Sequence, residues 1–113
     1  MKIIKDKISL EELKKMAQKM FGNLVKAVID IKKEIIVIDA PMHADQEALL
    51  IEKGSNQADL WGINLYPDKK GKDFIEFDSM INLKPNQNNR TRGVDHPDIR
   101  AKLIKIVKKL VQK

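Results

Sequence analysis

The stretch LVKAVIDIKKEIIVIDA, residues 24–40, decides the fold. Val25, Ala27, Ile29 and Ile31 alternate with Lys26 and Asp30, the two-residue period of a strand with one face buried. The second half, IIVIDA, is β-branched and nearly uninterrupted. Two strands follow, 24–31 and 34–39, joined by a tight turn near Lys32-Lys33. Two lysines lack the Asn-Gly chemistry that pins a short hairpin, so the register stays open.

Working outward, KIIK at residues 2–5 reads as a short edge strand, and Ser9 with Glu12 has the spacing of a capping box. Leu10, Leu13, Ala17 and Met20 share one helical face, with Met16 beside them, and Gly22 closes the helix. On the other side, Pro41 stops the hairpin and a helix runs from about Ala44 to Lys53, closed by Gly54. ADLWGINLYP (58–67) and DFIEFDSMINL (73–83) read as two further strands around a PDKKGK loop. Trp61, Ile63 and Leu65 would form one apolar face, answered by Ile75, Phe77, Ile81 and Leu83. Asn64, Tyr66, Glu76, Asp78 and Asn82 would form the polar face. After the loop KPNQNNRTRG (84–93), Asp95 is the expected cap of a last helix with Pro97 in its first turn. Its buried stripe is Ile99, Leu103, Ile106 and Leu110. The expectation is one α+β domain, residues 1–113, with a mostly antiparallel sheet of four or five strands packed on one face by helices, in the order (β)αββαββα.

The chain has 113 residues, 42% apolar and 34% charged, which is the balance of a folded domain. With no cysteine, disulfides and thiolate metal sites are excluded. Apolar runs such as Ile35–Ile38 are far too short to span a bilayer, and the N-terminus lacks the apolar core of a signal peptide. A cytoplasmic protein with no membrane partner is expected. The +6 net charge is uneven. Residues 1–39 carry nine cations and six anions, residues 40–83 four and eight, and residues 84–113 nine and two. The last segment, at +7, is therefore the one that attracts anions.

That segment holds all three arginines, Arg90, Arg92 and Arg100, against nineteen lysines in the whole chain. Arginine presents a planar fork that grips phosphate or carboxylate with two parallel bonds. Arg90 and Arg92 precede a helix start, where free N–H groups also favour anions, and Gly93 would admit a ligand close to the backbone. Two readings stand side by side. The fork ties the loop to Glu76 and Asp78 on the strand face, or it holds a ligand there together with Arg100, Asn64, Glu76, Asp78 and Asn82. No phosphate-loop spacing is present.

His43 and Glu47, one helical turn apart in HADQE, are the weaker candidates for a metal site with Glu76 or Asp78. A metal-assisted hydrolase or nuclease built on these four residues is the enzymatic alternative. The spacing of zinc proteases is absent, no Ser–His–Asp order exists, and no cofactor is expected. Aromatic content of 4% argues against base stacking on an exposed sheet. The expected partner is an anionic ligand or an acidic protein segment, with a nucleic-acid backbone the weaker alternative. A third reading, pairing between copies through KIIK, makes the arginines purely structural. The sequence fixes neither the oligomeric state nor whether the protein is an enzyme.

The blocks HADQEALL, GSNQADLWGINLYP, IEFDSMIN and NRTRGVDHPDIR resemble a small prokaryotic family catalogued as a domain of unknown function. The resemblance runs from about Val25 to the C-terminus, and DLWGINLYP and SMIN…P…NR are its most specific parts. It implies a stand-alone, single-domain cytoplasmic protein and carries no activity, cofactor or catalytic residue.

Overall fold

The computed structural model describes residues 1–112. The hairpin pairs β3 (Val25–Asp30) with β4 (Ile35–Ile38), Val28 opposite Val37 and Ile29 opposite Ile36. The register left open by Lys32-Lys33 is set by the residue before the turn. Asp30, almost fully buried, accepts from the amides of Lys32 and Lys33 at 2.9 and 3.0 Å, and its other oxygen accepts from the Ser55 hydroxyl at 2.6 Å. A carboxylate collecting three donors organises this turn in place of Asn-Gly.

Around the hairpin, β1 (Lys2–Ile4) adds to β4, and β5 (Leu60–Leu65) pairs with β3 along its whole length. The short β6 (Ile75–Glu76) adds to β5, giving an antiparallel sheet in the order β1-β4-β3-β5-β6. Two-residue strands β2 (Ile8–Ser9) and β7 (Val111–Gln112) form a separate parallel pair. The architecture is α+β, with three helices. KIIK lies at the sheet edge as expected, and the exposed Lys2 and Lys5 flank it, the pattern that discourages edge-to-edge pairing.

Helix α1 (Leu10–Met20) starts at Ser9, whose hydroxyl accepts from the Glu12 amide at 3.1 Å. Only half of the capping box forms, because Glu12 turns to Lys2. Helices α1 and α3 (Pro97–Leu110) cover one sheet face, burying Leu13, Ala17, Leu103, Ile106 and Leu110 against Val25, Ala27, Ile29, Trp61 and Ile63. Each such leucine, isoleucine or valine contributes about 1.5–3 kcal/mol by leaving water. Helix α2 (His43–Glu52) lies over the other face, where Leu50 packs on Val28, Val37 and Leu60. The sheet is thus covered on both sides, which is why Val28 and Val37, on the side expected to be polar, are fully buried.

Two local expectations are corrected. The strand expected over 73–83 stops after Glu76, and the chain turns through a short 3₁₀ segment, Met80–Asn82, capped by Ser79. Ile81 consequently joins the second face and Leu83 is exposed, so neither answers Trp61. The turn crosses β5 at Gly62, where a Cβ would stand 2.5 Å from that of Ser79, closer than any side chain can be accommodated. Asp95 does not cap α3. His96 is the N-cap without a side-chain bond, and Asp95 folds back onto Arg90 and Thr91. Helix α2 has Met42 as its N-cap, likewise without a side-chain bond. No helix among the described residues is long and apolar enough to cross a membrane.

Candidate functional site

The loop between Ser79 and His96 has little apolar side chain to bury, yet it is built around two fully buried asparagines. Asn82 accepts from the Gly62 amide at 2.8 Å and donates to the Gly62 carbonyl at 2.9 Å. One carboxamide thereby does at the edge of β5 what a neighbouring strand's backbone would do, and it also donates to the Arg92 carbonyl. Asn89 donates to the carbonyls of Asn82, Gly93 and Thr91 and accepts from the Asp95 amide. Asp95 accepts in turn from the Thr91 hydroxyl and the Arg90 amide, which holds its carboxyl below the usual aspartate range.

This scaffold sets three arginines to different tasks. Arg92 donates from Nε to Asp78 at 2.7 Å, so one of the two expected clamps exists. Arg100 donates to the Val94 carbonyl at 2.6 Å and tethers the loop to α3. The Arg90 side chain is exposed and has no protein partner among the described residues. Glu76, the other expected partner, accepts instead from Asn64 at 2.8 Å and from the Tyr66 hydroxyl at 2.9 Å. Burial, and then the bond to Glu76, pushes the Tyr66 phenol up. Asn64, Glu76, Asp78 and Arg92 therefore form a connected polar patch beside the loop. Asn82 supports it through its bond to the Arg92 carbonyl, and Arg100 is engaged separately at the Val94 carbonyl.

His43 is buried and donates from Nε2 to the Ile63 carbonyl at 2.8 Å. Burial is the main reason that its ring is held below the usual histidine range. A neutral Nε2–H tautomer satisfies this contact, and the ring serves to dock α2 on β5. Glu47 is half-buried, one of its oxygens having no partner among the described residues. No group of three His, Asp or Glu side chains suited to a metal gathers among the described residues.

The sequence reading did not single out Asn89 or Lys84. Lys84 is buried, donates to the Gln57 carbonyl at 2.6 Å and lies over the Trp61 ring, with burial pushing its ammonium down. Nothing in NQNN distinguishes the hub asparagine from its solvated neighbours. Only the position of the turn against β5 does.

The fold and this loop define a small α+β domain that carries an ordered, arginine-bearing polar loop beside its sheet edge. A family model described as protein of unknown function (DUF5674) matches residues 2–110, and the chain belongs to that family. No curated protein and no solved structure matches it.

Proposed function

We propose that the protein is a small binding module whose 90–92 loop holds an anionic group, phosphate or carboxylate. The observation that carries this reading is the state of Arg90. A five-donor fork stands on a loop whose backbone is pinned by Asn89 and Asp95, and no acceptor among the described residues engages it. Pre-ordering the loop removes entropy that binding would otherwise have to supply. Among the described residues Arg92 engages Asp78 through Nε only, which leaves its terminal nitrogens to join Arg90 on one ligand. The +7 charge of residues 84–113 supports attraction of such a ligand. Asp95, just before α3, and Asp98 in its first turn disfavour an anion at the helix end, which supports the guanidinium groups as the binding point.

With only three arginines, their Nε–H resonances form a sparse, assignable set. Titration with inorganic pyrophosphate should shift Arg90 and Arg92 saturably, leave Arg100 in place and weaken as salt rises. Arg90→Ala should abolish the shifts while leaving the fold intact. Shifts that never saturate, or that persist unchanged in Arg90→Ala, overturn the reading.

A further inference from the structure

Away from the arginine loop, α3 and the segment 71–77 enclose a groove of about 380 Å³, a size that suits a small ligand. Its walls are Phe74, Ile75, Phe77, Ile104, Val107 and Val111. Val107 and Phe74 are buried at its base, and the other four are only partly covered by protein. Among the described residues, the polar side chains lining it are two exposed lysines, Lys72 and Lys108, with no carboxylate side chain. The surroundings reinforce the sign. Lys69 and Lys70 precede Lys72 in the same turn, with Asp73 the single acidic residue between Lys69 and Phe77 other than Glu76, while Lys109 on α3 is paired with Glu34 at 3.3 Å. Glu76 is engaged by Asn64 and Tyr66.

We propose that this groove binds a small apolar anion, an aliphatic carboxylate whose chain lies on the Phe77–Ile104–Val107 floor and whose head is met by Lys72 and Lys108. Apolar contact supplies the affinity, and the two ammonium groups supply the selection of charge. None of the lining residues belongs to the 90–92 loop, so this site stands independently of that one.

Decanoate below its micelle concentration is the probe, read on the methyl resonances of Ile75, Ile104, Val107 and Val111. These should shift saturably, while acetate, with charge but no chain, leaves them unmoved. Decylamine, with the chain but the opposite charge, should bind at least about tenfold more weakly, a difference of about 1.4 kcal/mol. The double variant Lys72→Glu/Lys108→Glu should lose a similar factor for decanoate, and Ile104→Trp, which fills the groove, should block it. Equal affinity for decanoate and decylamine overturns the proposal, as does the absence of any saturable shift. Methyl shifts that follow protein concentration without ligand also overturn it, because a second copy of the chain then occupies the groove.

Discussion

The hairpin at 25–38 and the loop at 79–96 are held by opposite means. The hairpin is pinned by side chains that leave water on both of its faces, Ile29 and Ile36 under α1 and α3, Val28 and Val37 under α2. The loop buries hardly any carbon and is pinned by carboxamides. Asn82 completes the edge of β5, and Asn89 collects four backbone groups from the loop around it. Apolar burial is non-directional and tolerates exchange of similar residues, whereas a buried carboxamide network holds only while every member is paired. The apolar region therefore fixes the fold, and the polar region fixes where individual side chains stand.

The largest effects should test this contrast directly. Leu103→Ala opens a cavity in the apolar core and should cost about 3 kcal/mol in denaturant unfolding. Asn82→Ala should cost about as much, because it strands the Gly62 amide and carbonyl and the Arg92 carbonyl, each worth ~1–3 kcal/mol when left unpaired. The two losses should look different by hydrogen exchange. Leu103→Ala lowers protection throughout the sheet, and Asn82→Ala lowers it first at 60–62 and 79–92. A cost under about 1 kcal/mol for Asn82→Ala would mean that something other than the carboxamides holds the loop.

The same contrast governs how much was legible beforehand. The hairpin, the three helices and the edge strand follow from periodicity, which is local and repeats along the chain, helped at α1 by the Ser9 cap. The fourth strand did not, because IEFDSMINL alternates like a strand up to the point where Ser79 caps a turn and Asn82 replaces backbone pairing with side-chain pairing. Both events depend on Gly62, seventeen residues before Ser79 in sequence. The covering of the second face was hidden for a related reason. Lys26 and Asp30 read as solvated, but Asp30 is buried as the organiser of its own turn, and Gln46 of α2 reaches the Lys26 carbonyl. Of the candidate site, the pairing of an arginine with Asp78 was legible from residue types alone, whereas which arginine pairs was settled by the loop's internal bonds.

A smaller effect concerns the seam between the two regions, where His43 docks α2 on β5. Its ring is held below the usual histidine range by burial first, and Lys26 and Arg92 push the same way, against the Ile63 bond and Asp78. The unfolded chain takes up a proton near pH ~6.5 that the folded ring resists. The unfolded state thus binds more protons in that window, and stability rises with pH through it. The thermal midpoint should fall from pH 7.5 to pH 5.5, and His43→Gln, which keeps a donor for the Ile63 carbonyl, should flatten that slope. An unchanged slope in His43→Gln would assign the pH dependence elsewhere.

The smallest effect is the sharpest test of what the loop is for. The Arg92–Asp78 pair is half exposed on both sides, so Arg92→Lys should cost below about 1 kcal/mol. Arg90→Lys should leave stability within about 0.5 kcal/mol, since the exposed side chain makes no hydrogen bond or ion pair among the described residues. Binding should rank the other way, with pyrophosphate affinity falling more in Arg90→Lys than in Arg92→Lys, because a lysine ammonium cannot reproduce the fork. If Arg90→Lys instead destabilises the fold as much as Arg92→Lys and leaves pyrophosphate untouched, then both arginines serve the loop itself. The polar region would then be scaffolding of the same kind as the hairpin, achieved with different bonds.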